Sequence, residues 1–131
     1  MRVEFLTVDD ILALHADQIA RYGGSALIRD VGRLESARAM PAATFGHELL
    51  HPSIDEEAAA YFFYLVKNHP FVDGNKRTGL VAVLAFLGLN GLRLEASDDE
   101  LVELVVGVAA GRITKAEVAV FVRRHRRRRA R

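Results

Sequence analysis

The 131-residue chain contains no cysteine, which excludes a disulfide-stapled scaffold and thiolate chemistry. It also lacks a long apolar run, because its longest uncharged apolar stretch, residues 78–90, falls short of the roughly 20 residues that span a bilayer. The N-terminus has no apolar segment typical of a secretory signal. No internal repeat, linker or proline-rich stretch interrupts the chain. These absences predict one cytoplasmic globular domain that has no membrane partner.

Charge is unevenly distributed along the chain, although the formal net charge is only +1. Residues 123–131 read RRHRRRRAR and contain seven of the eighteen basic residues. The other eleven stand against seventeen acids, so residues 1–122 carry a net charge of −6. We therefore divide the chain into a globular domain, residues 1–122, and a basic arginine-rich tail, residues 123–131. Half of all residues are hydrophobic, which is enough for a packed core and excludes wholesale disorder.

Helical periodicity and helix-capping signals dominate the sequence. One helix is predicted to begin after Thr7, and a short helix covers residues 33–40. In a capping box, a Ser or Thr side chain and a Glu side chain each satisfy a free amide, and three such boxes begin further helices. They lie at residues 53–56, 97–100 and 114–117. Short strands are predicted only at residues 3–6 and 92–95.

Two successive segments, residues 54–68 and 75–89, are apolar on nearly every side. Helices of this kind are buried, so aromatic residues 61–64 are interpreted as core residues. Because only six residues separate the segments, we expect a central antiparallel helix pair. The predicted fold class is all-α, a compact domain of about six helices.

The polar stretch HPFVDGNKRT, residues 69–78, lies between these two apolar helices. Burying charge there is costly, so a polar cluster at this point indicates a function. Asn75 is predicted to cap the second helix, which places Lys76 and Arg77 in its first turn. Cations are unfavourable at a helix start, but free backbone amides there attract an anion. A bound phosphate would therefore be gripped by the amides, Lys76 and Arg77 together.

The other residues of this stretch suit transfer of a group to a hydroxyl. A neutral His69 can accept the proton of an attacking hydroxyl. Asp73 is the kind of single carboxylate that binds Mg²⁺ beside a polyphosphate, and Gly74 allows a ligand close to the backbone. The set predicts phosphoryl or nucleotidyl transfer through positioning and charge stabilisation. The alternative is an ordinary turn and helix cap whose charged side chains are solvated.

The residues HPFVDGNKR resemble the core motif of the Fic/Doc superfamily, in the form HxFxxxNKR. The stretches LTVDDILALHADQIARYGG, RDVGRLESA and AAGRITKAEVAVFV also look like Doc-type chains, so the resemblance covers roughly residues 5–122. Fic enzymes carry HPFxxGNGRxxR and transfer AMP. Here Lys76 replaces the second glycine of that motif and Leu80 replaces its second arginine. The Doc branch, the death-on-curing toxins of toxin–antitoxin modules, carries this lysine.

The resemblance implies that the protein is a toxin and acts as a protein kinase. It would transfer the ATP γ-phosphate to a threonine of elongation factor Tu and arrest growth, with ATP and Mg²⁺ as cofactors. The implied catalytic residues are His69, Asp73, Lys76 and Arg77, and the implied phosphate-binding residues are Gly74, Asn75, Lys76 and Arg77. His69 would be the base and Asp73 the metal ligand. The implied partner is an antitoxin with a disordered segment that folds as a helix in a groove of the toxin.

Two alternative functions stay open. The first is AMP transfer of the Fic type to a protein hydroxyl. The second is nucleic-acid binding through the tail, whose arginines could also give the toxin a weak nucleic-acid contact. These are Arg123, Arg124, Arg126, Arg127, Arg128 and Arg129. Otherwise the tail is interpreted as a frayed helix end, and deleting residues 125–131 is expected to leave toxicity intact.

Three histidines outside the motif are given no functional role. His15 is interpreted as a partly exposed residue of the first helix. His47 and His51 are four residues apart, a spacing that can hold a metal on a helix. Pro52 follows directly and no third ligand lies nearby in sequence, so these two histidines do not predict a zinc site.

Overall fold

The computed structural model describes residues 2–130 and confirms a mainly helical fold. Over this range the six helices are α1 (Val8–Tyr22), α2 (Val31–Ala39), α3 (Ile54–Asn68), α4 (Asn75–Leu89), α5 (Asp98–Ala109) and α6 (Lys115–His125). A short 3-10 helix, Met40–Ala42, follows α2. Strand β1 (Thr44–Phe45) pairs with β2 (Glu48–Leu49), and β3 (Leu92–Leu94) pairs with β4 (Arg126–Arg128), both antiparallel.

Helices α3 and α4 form the predicted central pair. Gly79 near the start of α4 faces Phe62 and Val66 towards the end of α3. Phe86 near the end of α4 packs against Tyr61, with ring centroids 5.0 Å apart. The helices therefore run antiparallel. A Cβ at position 79 would lie 3.0 Å from Val66 Cγ2, so glycine permits this close approach.

The core surrounds this pair and receives apolar side chains from all the other helices. Helix α6 and helix α2 pack on α3, and helix α1 packs on α4. Tyr61 and Phe62 are fully buried, whereas Phe63 and Tyr64 are half-buried at the edge of the core. The outer helices contribute buried residues that include Ile11, Leu34, Leu104, Val108, Val118 and Val122. The motif loop between α3 and α4 is thus anchored in the most buried part of the molecule.

The segment predicted as a strand at residues 3–6 is extended without a strand partner, so that prediction is wrong. Its backbone groups are satisfied by side chains. The Asn90 amide donates to Glu4 O and accepts from Glu4 N, both at 2.9 Å, and Leu6 N donates to the Tyr61 hydroxyl at 2.8 Å. The strand predicted at residues 92–95 is confirmed as β3.

One helix start and one capping box in this part of the chain differ from the prediction. Helix α2 begins at Val31, two residues early, because the Asp30 carboxylate accepts from Arg33 N at 3.0 Å. At α3, Ser53 Oγ accepts from Glu56 N at 3.1 Å, but Glu56 does not return the bond to Ser53 N, so half of the predicted box forms. The boxes at Ser97 and Thr114 are complete.

The arginine-rich tail joins the fold, so the expected frayed helix end is wrong. Residues 123–125 complete α6, and β4 then pairs with β3 in the register Leu92↔Arg128, Arg93↔Arg127 and Leu94↔Arg126. Arg126 forms an ion pair with Asp55, a buried carboxylate at the start of α3. Residue 131, which belongs to the predicted tail, lies outside the described residues.

Within residues 2–130, no helix combines the length and the apolarity needed to cross a membrane.

Candidate active site

The motif loop leaves α3 through an unusual backbone conformation at His69. This residue follows the helix as its C-cap and has φ +48° and ψ +58°, in the left-handed region. Residues other than glycine adopt that region infrequently, and asparagine, aspartate and histidine are the commoner exceptions. The turn sends the chain back towards the start of α4, and His69 itself is exposed.

Two arginines from the α1–α2 region hold the end of α3. Arg29 Nε donates to His69 O at 2.7 Å and its Nη2 donates to Asn68 O at 2.9 Å. Arg33 Nη1 also donates to Asn68 O, at 3.0 Å. Cations at this position complement the negative end of a helix. Sequence reasoning gave these arginines no role, because no local pattern reports contacts across 35 to 40 residues of chain.

Asn75 fixes the loop from inside, but it does not cap α4 as predicted. Gly74, with φ +80°, occupies the cap position, and Asn75 is the first helical residue. The buried Asn75 amide instead brackets Phe71: Oδ1 accepts from Phe71 N and Nδ2 donates to Phe71 O, both at 3.0 Å. Its Nδ2 also lies 3.4 Å from His69 Nδ1, so one side chain links the loop centre to the predicted base.

The segment between α1 and α2 lies beside the motif. Leu27 O accepts from Val72 N at 3.1 Å, and Pro70 O accepts from Arg29 N at 2.8 Å. Ile28 and Phe71 form an isolated antiparallel bridge. This segment therefore pairs with the motif backbone and holds it in place.

Asp73 is held by two groups, His15 on α1 and Ser25 in the segment that follows α1. Its Oδ2 accepts from Ser25 N at 2.8 Å, which uses one of the two carboxylate oxygens. Its main-chain oxygen lies 2.8 Å from His15 Nε2. His15 is only 2% exposed and stacks on Phe71, with centroids 3.6 Å apart and ring planes 5° apart.

The interpretation of His15 as a partly exposed residue without a role is therefore wrong. A signal for its burial was present in the sequence. His15 shares a helical face with Ile11 and Gln18, which are also buried, at the i, i+4, i+7 spacing of an inward stripe.

Lys76 and Arg77 lie in the first turn of α4, as predicted, but their surroundings differ. Lys76 is exposed, and none of the described carboxylates lies within ion-pair distance of it. Arg77 donates to Gly23 O at 3.0 Å and to Gln18 O at 3.3 Å, at the end of α1. Its guanidinium also lies 5.6 Å from the Tyr22 ring centroid. Arg77 thus joins α1 to α4 as well as facing the cavity.

Seven residues line a cavity of about 290 Å³, and they are Val72 and all six predicted site residues. The six are His69, Asp73, Gly74, Asn75, Lys76 and Arg77. The cavity lies at the start of α4, where the first backbone amides of a helix have no partner within it. The cavity thus places a histidine and a carboxylate beside a helix start, the kind of position that favours an anion.

The donor set fits a magnesium ion that is bound together with a polyphosphate. In the described part of the chain, no three His, Cys, Asp or Glu side chains form a cluster able to hold a metal. Mg²⁺ does not need such a cage, because it commonly keeps several waters and takes one or two carboxylates plus phosphate oxygens. Asp73 is the exposed carboxylate that lines the cavity.

His47 and His51, the pair whose spacing could suit a metal on a helix, lie away from this cavity and have different surroundings. His51 is buried, with Nδ1 3.0 Å from Met40 O and Nε2 2.9 Å from Lys115 Nζ. Burial and the neighbouring Lys115 charge lower its pKa. His47 is exposed and has φ +75°.

Fold and site together define an α-helical domain in which a histidine-containing loop and the start of a buried helix line one cavity. The family model described as Fic/DOC family matches residues 5–87. The chain is similar to "Protein kinase doc" of Escherichia phage P1, with 36% identity over 119 residues, 91% of this chain and 93% of that protein. It is also similar to "Toxin Doc" of Mycolicibacterium smegmatis (strain ATCC 700084 / mc(2)155), with 42% identity over 96 residues, 73% and 72% of the two chains. The chain belongs to the Fic/DOC family, and the resemblance to its Doc branch is confirmed.

Proposed function

We propose that the chain is the toxin of a toxin–antitoxin module and a protein kinase that acts in the cytoplasm. Its proposed reaction transfers the ATP γ-phosphate to a threonine hydroxyl of elongation factor Tu. The names of the two relatives, a protein kinase and a toxin, support the reaction class and the biological role. The observation that carries the proposal is the cavity in which His69, Asp73 and Lys76 meet the free amides of α4.

His69 would act as the base. The ring nitrogen that carries the lone pair takes the proton of the target hydroxyl, and the hydroxyl oxygen forms a bond to the γ-phosphorus. The bond between that phosphorus and the bridging oxygen of ADP breaks, and ADP leaves with the electron pair. The exposed side chain of His69 and its weak 3.4 Å contact with Asn75 leave the ring accessible to a bulky protein substrate.

The remaining residues would hold charge in place. The α4 amides and Lys76 bind phosphate oxygens, and Asp73 holds Mg²⁺ through the carboxylate that Ser25 N orients. A bound Mg²⁺ would neutralise part of the negative charge on the phosphates. Arg77 is fixed to carbonyls of α1, so its proposed phosphate contact uses the N–H groups that those bonds leave free.

Two residues favour γ-phosphate transfer over AMP transfer. Lys76 stands where the Fic motif has a glycine that lets a phosphate approach the backbone, and a lysine side chain at that position crowds this path. Leu80 stands where that motif has a second arginine, and an apolar side chain offers no grip on a phosphate. Both lie on α4, one turn apart, at the edge of the cavity or beside it.

Labelled ATP tests the reaction directly. Incubation of the protein and Mg²⁺ with elongation factor Tu is expected to place the γ-phosphate label, and no α-phosphate label, on the target. His69→Ala should abolish both labelling and growth arrest while keeping the wild-type melting temperature, because the exposed ring contributes little to packing. Label from the α-phosphate would identify AMP transfer instead, and undiminished arrest by a well-expressed His69→Ala protein would sink the kinase proposal.

An apolar groove beside the cavity supports the antitoxin as a partner. Its volume is about 310 Å³, and Leu80, Leu101, Val102, Val105 and Val106 line it. Val102 and Val106 are 60% and 49% exposed, a large exposure for neighbouring residues on one helix face. Lys76 and Arg77 line both the groove and the cavity. We propose that an amphipathic antitoxin helix places its apolar face here and an acidic side chain near these cations.

Coexpression with the cognate antitoxin tests this groove. Val102→Asp should arrest growth even when the antitoxin is present, because a carboxylate in the groove opposes an apolar helix face. Leu49→Asp is the matched control, since Leu49 is 46% exposed on β2 and outside the groove; it should remain neutralised. A Val102→Asp toxin that the antitoxin still silences would place the antitoxin elsewhere.

The alternative of nucleic-acid binding through residues 123–129 draws little support from their surroundings. Arg126 is engaged by Asp55, and Arg127 Nε lies 4.0 Å from Glu95 Oε1. Arg127 Nη1 also donates to Arg124 O and Arg126 O. These arginines are used in part to hold the C-terminal strand in place.

A further inference from the structure

His15 is the buried polar residue in closest contact with the motif loop, and the proposed mechanism does not use it. It lies on α1, 58 residues before Asp73. Its Nε2 is 2.8 Å from the Asp73 main-chain oxygen, and its ring stacks on Phe71. Because a carbonyl oxygen only accepts hydrogen bonds, Nε2 must carry the proton in this contact.

The peptide that His15 holds lies at a point where the loop has conformational freedom. Gly74 follows directly and has φ +80°, and glycine adopts several backbone conformations at similar cost. A bond to the Asp73 carbonyl restricts rotation of the peptide between residues 73 and 74. The Asp73 carboxylate receives a second bond from Ser25 N at 2.8 Å. Asp73 is therefore held at both its main chain and its side chain by α1 and the residues that follow it.

We propose that His15 is a positioning residue for the active site: its Nε2–H fixes the Asp73 peptide so that the carboxylate faces the cavity in the orientation that binds Mg²⁺ with the nucleotide. The choice of Mg²⁺ and a nucleotide as the ligands rests on the proposed function. His15 touches neither substrate nor metal, and it acts through Asp73. A small displacement of a positioned group lowers the rate of a transfer reaction strongly, by about a hundredfold for a shift near 1 Å.

Two substitutions separate the hydrogen bond from the packing. His15→Phe keeps an aromatic ring against Phe71 but removes the donor. His15→Gln keeps an N–H donor at the same number of bonds from Cβ but removes the stacked ring. The melting temperature of each variant gives its stability, and kcat and KM are measured for the γ-phosphate transfer.

A second measurement does not depend on catalysis. Binding of a non-hydrolysable ATP analogue is titrated calorimetrically with and without Mg²⁺, and the ratio of the two affinities reports how well Asp73 holds the ion. His15→Phe is expected to lose about tenfold or more in kcat and most of the Mg²⁺-dependent gain in affinity. His15→Gln should stay within about threefold of the wild type in kcat and keep that gain, even where its melting temperature is the lower of the two.

The reverse order, with His15→Gln the more impaired variant, or two variants that both match the wild type, would overturn the proposal and leave His15 a packing residue. Wild-type protein that transfers no γ-phosphate would instead contradict the proposed function. The ranking of the two variants in growth arrest, which does not depend on the identity of the reaction, then decides the role of His15.

Discussion

Glu57 is a carboxylate that folding places in an unfavourable environment. It lies on α3 with only 3% of its surface exposed. Burial, together with the neighbouring Glu56 charge, raises its pKa from about 4.5 to about 7. A raised carboxyl pKa means that the folded state binds the proton more tightly than the unfolded state does. The contribution of Glu57 to stability is thus fully present below pH 4.5 and declines as pH rises to about 7.

Glu57→Gln should remove this decline. We expect the variant to exceed the wild type in free energy of unfolding by about 1–3 kcal/mol at pH 8, with the advantage shrinking towards pH 4.5. Urea denaturation at several pH values measures the difference. Glu103→Gln on the exposed face of α5 is the control and should follow the wild-type curve. A Glu57→Gln difference that does not vary with pH would contradict the raised pKa.

At the scale of elements, β4 depends on one ion pair that reaches the start of α3. Asp55 is 4% exposed, and Arg126 is its ion-pair partner. Breaking a buried pair by removing one partner leaves an uncompensated charge in the protein interior. The ion pair thus ties the C-terminal strand to the start of α3, although Arg127 and Arg128 themselves are exposed.

Arg126→Ala is therefore expected to lower the free energy of unfolding by about 1–3 kcal/mol, because Asp55 loses its partner but the Arg126 side chain is 35% exposed and water reaches the site. Arg128→Ala, on the same strand, removes an exposed side chain that has no acidic partner among the described residues, and should change stability by less than about 0.5 kcal/mol. Thermal or urea denaturation compares the two variants. Adding Asp55→Asn to Arg126→Ala should restore part of the loss, and equal effects of the two arginines would rule out the ion pair as the cause.

The same contact changes the expected result of truncating the tail. The sequence alone predicts that deletion of residues 125–131 leaves toxicity intact. The structure shows that this deletion removes β4 and the partner of Asp55. We now expect the truncated protein to be less stable, so its toxicity must be compared at equal amounts of folded protein.

The elements that the sequence predicted well are those whose signal is local. Apolar composition and a capping signal located α3 and α4 closely, although the cap of α4 is Gly74 and not Asn75. The polar residues between them line the cavity. The failures involve groups that meet across the chain: residues 3–6 bind Asn90 and Tyr61, and β4 pairs with β3. His15 belongs to this second kind, because its partner Asp73 lies 58 residues away. Local propensity carries no information on such contacts.

At the scale of the whole molecule, two separate groups of cations lie at opposite ends of α4. The motif occupies its start, and β3 and β4 follow its end, about 22 Å away for 15 residues at 1.5 Å each. The arginine-rich strand is thus too distant to bind the same phosphate as Lys76. Attraction of ATP to an acidic body must come from the local amides and Lys76, at short range.

Binding of the nucleotide should therefore stabilise the fold in a manner that depends on Lys76. A non-hydrolysable ATP analogue with Mg²⁺, at about 100 times its dissociation constant, adds about 2.7 kcal/mol to the unfolding free energy and raises the melting temperature by several degrees. Lys76→Ala should keep the melting temperature of the unliganded protein and lose most of this rise at the same analogue concentration. Arg128→Ala should keep it, and a rise that is equally reduced by both changes would indicate general charge attraction.

His69 has a left-handed backbone conformation that other residues adopt more readily, whereas the proposed chemistry requires a histidine at this position. Glycine and asparagine are the residues that most readily end a helix in this conformation, so the fold itself gives no preference to histidine at position 69. Under the proposed mechanism, an inherited change from histidine to asparagine would inactivate the toxin and still yield a well-folded chain. Such a chain would keep the groove proposed to bind the antitoxin, and in a cell it would compete with active toxin for the antitoxin.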